Sequence, residues 1–200
     1  ALTLSWEPGL RAVSQGEAWV AALDALAPRC AVDHRVQLRW ETFEPAAIPL
    51  IERALAGPRT PSVAFNDHVS MMVRPFGQRV QERAPDCDPG RPAADFTDPA
   101  MAERIGGNAK RAGLKAEAYI DRLARIWDTR HAVPGHIEQV AALARAAGAP
   151  MLSHDDNTPL IRDYYRARGA RISEFPMTVE TARAARAAGD AIVFGAPNAV

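Results

Sequence analysis

Met151-Leu152-Ser153-His154-Asp155-Asp156-Asn157-Thr158-Pro159 is a short apolar run that stops on an imidazole and two carboxylates and turns at once into a helix start. That layout places polar side chains at the end of a buried strand in an α/β protein. Residues 170–178 and 191–198 repeat it, and the apolar centres Leu152, Ile172 and Ile192 are spaced by 20 residues. A step of that length holds one strand, one loop and one helix.

The same alternation extends towards the N-terminus. Strands are expected at 2–6, 36–40, 62–65, 151–153, 171–173 and 191–194, all short and mostly apolar, as when both faces of a sheet are covered. Helix signals follow them. Glu44-Pro45 opens a run that Gly57-Pro58 closes, Pro134 leads to Gly148, Asn157-Thr158-Pro159 leads to Gly169, and Thr178 caps a run ended by Gly189. Alternating strands and helices imply a parallel sheet. Residues 70–130 break the rhythm, first with Pro75, Pro85, Pro89, Pro92 and Pro99, then with a stretch at 100–127 that reads as one long, mainly polar helix. This excursion is expected over the strand ends as a lid or subunit contact, with a solvated insertion as the equal alternative.

Composition narrows the function classes. A chain of 200 residues with 48% hydrophobic content can fold around a core, and 24 basic side chains against 24 acidic ones leave no positive field for extended nucleic-acid binding. Cys30 and Cys87 stand apart from any C-x-x-C arrangement, so the default setting is reducing and cytoplasmic. The sequence shows no apolar run of transmembrane length and no basic segment ahead of an apolar one at its start, so no membrane span or signal peptide is expected. The first residue is not Met and the last ones, 195–200, read as part of a site loop, so both ends are expected to be cut.

Polar residues collect where the strands end: Arg39 and Glu41, then Asn66, Asp67 and His68, then His154, Asp155 and Asp156, then Glu174, then Asn198. In a closed barrel of parallel strands that end carries the site, with side chains from several strands meeting around one point. Imidazoles and carboxylates suit zinc or manganese, which help to make a nucleophile of water near neutral pH. Each group also has an ordinary reading: Glu41 paired with Arg39 or at a helix start, His68 hydrogen-bonded in a loop, one aspartate as a turn or cap residue. His154 is the strongest candidate, because an imidazole between a buried strand and two carboxylates is costly to leave unsatisfied. His34, His131 and His136 read as structural or surface groups.

Three ordered strings carry a resemblance: Ser153-His154-Asp155-Asp156-Asn157-Thr158, Glu174-Phe175-Pro176-Met177-Thr178 and Gly195-Ala196-Pro197-Asn198. They resemble S-H-D-D-T-T, E-F-P-T-T and G-A-P-N of the phosphonate-utilisation hydrolases in the amidohydrolase superfamily, which act on ribose 1-methylphosphonate 5-triphosphate. Leu38-Arg39-Trp40-Glu41 is similar to the family's H-L-R-C-E segment and Asp67-His68 to its D-H pair. The resemblance implies a metal-dependent (β/α)8 TIM barrel, of which residues 1–200 form the central part of one catalytic domain with about six strands. It implies Glu41, His68 and His154 as metal ligands, Asp155, Asp156 and Arg39 as catalytic groups, and Glu174, Thr178, Gly195 and Asn198 on the substrate side. The cofactor is a divalent metal, zinc first, with manganese or magnesium as alternatives. The partner is a phosphorylated small molecule that releases pyrophosphate, with no nucleic acid or membrane partner and a homo-oligomer allowed.

Departures from the family accompany the matches. Its D-H pair continues T-P-G-Q, whereas here Val69-Ser70-Met71-Met72-Val73-Arg74-Pro75 follows, so a substrate-contacting loop is altered. An H-x-H or H-x-D is missing before residue 34 and an aspartate after residue 198, so residues 1–200 by themselves are expected to show low activity. Two other readings keep the same residues. One is an amidohydrolase acting on a cyclic amide or amine; the other is a non-catalytic α/β module that binds a phosphorylated ligand.

Overall fold

Among the described residues every strand is joined to the next by helix, and one of these connections holds four α-helices in place of one. The computed structural model describes residues 2–5, 13–83, 85–86, 88, 90 and 92–195. In chain order the elements are β1 (Leu2–Ser5), α1 (Val13–Leu26), β2 (Val36–Glu41), α2 (Ile48–Leu55), β3 (Ser62–Asn66) and α3 (Val69–Val73). The packed pair α4 (Pro99–Arg111) and α5 (Ala116–Asp128) comes next, then α6 (Val133–Ala146), β4 (Met151–His154), α7 (Pro159–Ala167), β5 (Ile172–Glu174), α8 (Val179–Ala187) and β6 (Ala191–Val193). All six strands are parallel and lie in the sheet in sequence order. An order that never reverses differs from that of a doubly wound sheet and is compatible with part of a barrel.

The sheet is strongly curled. Gln37 on β2 donates from Nε2 to both carboxylate oxygens of Glu174 on β5, at 3.1 and 3.2 Å, across three strand spacings. A flat sheet would hold those positions about 14 Å apart, so the strands wrap round a concave face. Side chains alternate between the two faces. Gln37, Arg39 and Glu41 of β2 point inward, and the inner face is completed by Asn66, His154 and Glu174. Leu38, Trp40, Val63 and Phe65 point outward into the main core. There Trp40 meets Phe65 edge-on at 6.0 Å, and Phe65 stacks on Tyr165 of α7 at 5.2 Å. This six-stranded parallel sheet is compatible with part of a barrel; among the described residues β1 and β6 are not paired with each other.

Four strands run one residue beyond their expected ends, and the added residue is in each case the polar one. Glu41 is still in register with Asn66, and His154 with Glu174. These side chains are therefore set by sheet geometry and not by loops. The segment expected as one helix at 100–127 is two, because Gly113 adopts φ +67 and Leu114 donates back to the carbonyl of Ala109 at 2.9 Å. Only a residue without Cβ takes that turn without strain. Met101, Ile105 and Ala109 on α4, and Tyr119, Leu123 and Trp127 on α5, form two buried stripes of four-residue spacing within the main core. One face of each helix is therefore packed on the core, and full burial of a side chain such as Ile105 or Leu123 stabilises by about 1.5–3 kcal/mol. Residues 69–73, read from the sequence as part of an altered loop, are helical. Val69, Ser70, Met72 and Val73 are buried in α3, and apolar residues stand there because α5 packs over them.

The twenty-residue step is a repeated backbone plan. Asp155 and Phe175, each directly after a strand, share φ 57, and Thr158 and Thr178 then cap α7 and α8 by accepting from Ile161 N and Thr181 N. Gly169 and Gly189, at positive φ, lead back to the next strand.

Candidate metal centre

The concave face ends in a cluster drawn from two neighbouring strands. His68 follows β3, His154 is the last residue of β4 and Asp155 is the next, and one ligand atom from each lies within 4.8 Å of the others. His154 Nε2 and Asp155 Oδ2 are 3.6 Å apart. With zinc–ligand bonds of about 2.0–2.2 Å, tetrahedral neighbours lie roughly 3.4 Å apart, so the donor set fits a divalent ion once the three groups close in and Arg39 gives up His154 Nε2. His154 is buried, whereas His68 and Asp155 are partly exposed, which leaves the centre open on one side. The positive φ of Asp155 turns its carboxylate back beside the imidazole, a strained conformation of the kind found at functional sites.

His154 is held on both of its nitrogens. Nδ1 lies 2.9 Å from Glu174 Oε2, and Nε2 meets Nη2 of Arg39. Burial alone would raise the Glu174 carboxyl, but hydrogen bonds from His154 and Gln37 and the charges of His154 and Arg39 outweigh it and hold it below the usual carboxylate range. Phe175 stands edge-on to the His154 ring at 5.1 Å. The structure thus places Glu174, expected on the substrate side, directly behind the imidazole.

Glu41 is fully buried behind His68. Its carboxylate accepts from the backbone N–H of His68 at 3.2 and 3.1 Å, from Val69 N at 3.5 Å and from Asn66 Nδ2 at 3.2 Å. His68 Nδ1 lies 3.4 Å from Glu41 Oε2 and 2.9 Å from Asn66 Nδ2. Burial pushes the Glu41 carboxyl up, against those hydrogen bonds. It stands outside the three-residue cluster and braces His68 through the backbone.

Asp155 and Asp156, paired in sequence, part in space. Asp156 is 1% exposed and accepts from Ser153 Oγ at 2.6 Å and Ser173 Oγ at 2.7 Å, with Arg162 Nη1 at 3.3 Å. Arg162 is also fully buried, and it joins Asp190 and the carbonyls of Ala170 and Ile172 to the same network. This arrangement ties β4, β5 and α7 together beneath the site. Thr178 serves as the cap of α8, Gly195 is the last described residue and partly exposed, and Asn198 lies outside the described residues.

Two contributors escaped the sequence reading. Gln37 carried a signal, since Gln37, Arg39 and Glu41 alternate as one face of a strand. Arg83 carried none: it comes from the proline-rich stretch, is 5% exposed and donates to the Asp155 carbonyl at 3.0 Å, fixing the strained turn from outside. Cys30 is free and exposed, and Cys87 lies outside the described residues. Among the described residues no helix is long and apolar enough to cross a membrane.

Comparison with known proteins finds a distant relationship. The chain is 29% identical over 171 residues, 84% of its own length, to the alpha-D-ribose 1-methylphosphonate 5-triphosphate diphosphatase of Escherichia coli (strain K12). It spans 39% of that protein. No family model matches the chain. No solved structure matches it either.

Proposed function

We propose that this protein is a metal-dependent hydrolase of phosphoric anhydrides, acting on ribose 1-methylphosphonate 5-triphosphate or a related phosphorylated small molecule and releasing pyrophosphate. The observation that carries this reading is the meeting of His68, His154 and Asp155 at the strand ends beside Arg39. A distant relative that is itself a diphosphatase supports the reaction class. His68, His154 and Asp155 would hold the ion, zinc by the nitrogen and oxygen donor set. A divalent ion there supplies Lewis acidity toward a phosphoryl oxygen and makes water acidic enough to attack near neutral pH.

The chain's own residues do the rest. Arg39, released from His154 Nε2 by the ion, would offer N–H donors beside it, suited to anionic phosphoryl oxygens whose charge grows during displacement. Glu41 and Glu174 keep the two imidazoles oriented from behind. Phe175 and the polar concave wall limit how His154 can rotate.

Pyrophosphate release from nucleotide-like triphosphates, compared with ammonia release from a panel of cyclic amides and amines, tests the proposal on metal-loaded protein. Pyrophosphate formation that needs zinc or manganese and falls at least a hundredfold in Asp155→Ala is expected. Ammonia release without pyrophosphate would assign the same centre to C–N hydrolysis. A protein that binds pyrophosphate without metal and turns over neither class would be a binding module.

A further inference from the structure

The inner face carries a hydrogen-bonded line that crosses the sheet and ends on a single imidazole. Thr3 on β1 donates to Gln37 Oε1 at 2.9 Å, Gln37 donates to both oxygens of Glu174, and Glu174 Oε2 lies 2.9 Å from His154 Nδ1. Gln37 has no freedom to flip, because Thr3 occupies its carbonyl and Glu174 its amide. The Glu174 carboxylate is therefore held from one side by the Gln37 amide nitrogen, shared between its two oxygens, and meets the imidazole from the other. Gln37, Glu174 and His154 are all buried, so water competes little for these bonds.

We propose that Glu174 is a positioning residue, anchored by Gln37, that locks His154 as its Nδ1–H tautomer and so presents the Nε2 lone pair towards His68 and Asp155. The inventory of donors leaves one solution. An ionised carboxylate only accepts, so Nδ1 carries the hydrogen; a guanidinium only donates, so Nε2, against Arg39, carries the lone pair. A buried imidazole with one nitrogen bonded to a carboxylate has the arrangement that fixes tautomer and ring direction in metal sites, and an ion would take the place of Arg39 at the other nitrogen. This inference rests on the metal-centre reading for its purpose but not for its geometry.

The test reads the tautomer directly. Long-range 1H–15N correlation spectra of the histidine-labelled full chain without metal should show His154 with Nδ1 protonated and Nε2 bare. Glu174→Gln should move the population towards Nε2–H, and zinc titration calorimetry should show affinity weakened by about 10- to 100-fold. Gln37→Leu, which leaves Glu174 and His154 in place, should produce the same changes more weakly, and it serves if Glu174→Gln does not fold. An Nε2–H or doubly protonated His154 in the parent protein, or an unchanged tautomer in both variants, would overturn the proposal. If the tautomer shifts as expected but no variant or parent binds zinc, the positioning stands and the metal reading fails.

Discussion

At the scale of single residues, Asp155 exchanges stability for geometry. Its φ of 57 is a conformation that glycine adopts freely and a residue with a Cβ adopts at a cost. Asp155→Gly should therefore gain on the order of 1 kcal/mol in urea unfolding of the metal-free protein while losing metal affinity. Asp155→Ala should lose the affinity without that gain, and equal stability of the two variants would refute the strain. The neighbouring Asp156 shows why sequence adjacency misleads. A turn with positive φ sends consecutive side chains in different directions, one to the open centre and one to Arg162. His154 was legible because it ends an apolar strand. Its bond to Glu174 was not, since nothing in a linear pattern shows that the last residues of two neighbouring strands touch.

At the scale of elements, the irregular stretch between α3 and α4 acts as a latch. Asp86, 3% exposed, accepts from Thr42 Oγ1 just after β2 and from Tyr165 on α7, both at 2.6 Å. Burial, reinforced by the charge of Asp67, raises its carboxyl from 3.8 to about 7 despite those hydrogen bonds. A carboxyl raised on folding favours the native state most at low pH, and that contribution is lost as pH rises through about 7. Unfolding free energies of the parent protein and Asp86→Asn, measured from pH 4 to 7.5, should thus diverge in favour of Asn by at most about 1.4 kcal/mol per pH unit. A constant difference would show that Asp86 remains ionised. Periodicity revealed the strands and the helices after them, because burial on one or both faces imposes it. The latch has no periodicity, and the break between α4 and α5 hung on the one glycine whose φ is positive between them.

At the scale of the whole molecule, the parallel order and the twenty-residue step were legible, whereas the curl of the sheet was not. Curvature is set by contacts across the concave face, and Gln37 to Glu174 joins residues 137 positions apart. Since the proposed ion draws on two strands at once, its binding should stabilise the entire fold. At a hundredfold excess over Kd the gain is about 2.7 kcal/mol, which should raise the thermal midpoint by about 5–10 °C and be reversed by chelator. An unmoved midpoint under saturating zinc and manganese would remove the metal centre from the account. The repeated plan of β4 with α7 and β5 with α8 carries one more consequence. Backbone and chemistry are separable here: the same socket holds an imidazole at one strand end and a carboxylate at the next. Substitution at a socket can thus trade a ligand for its brace without redrawing the scaffold, and reactivity is free to change faster than shape.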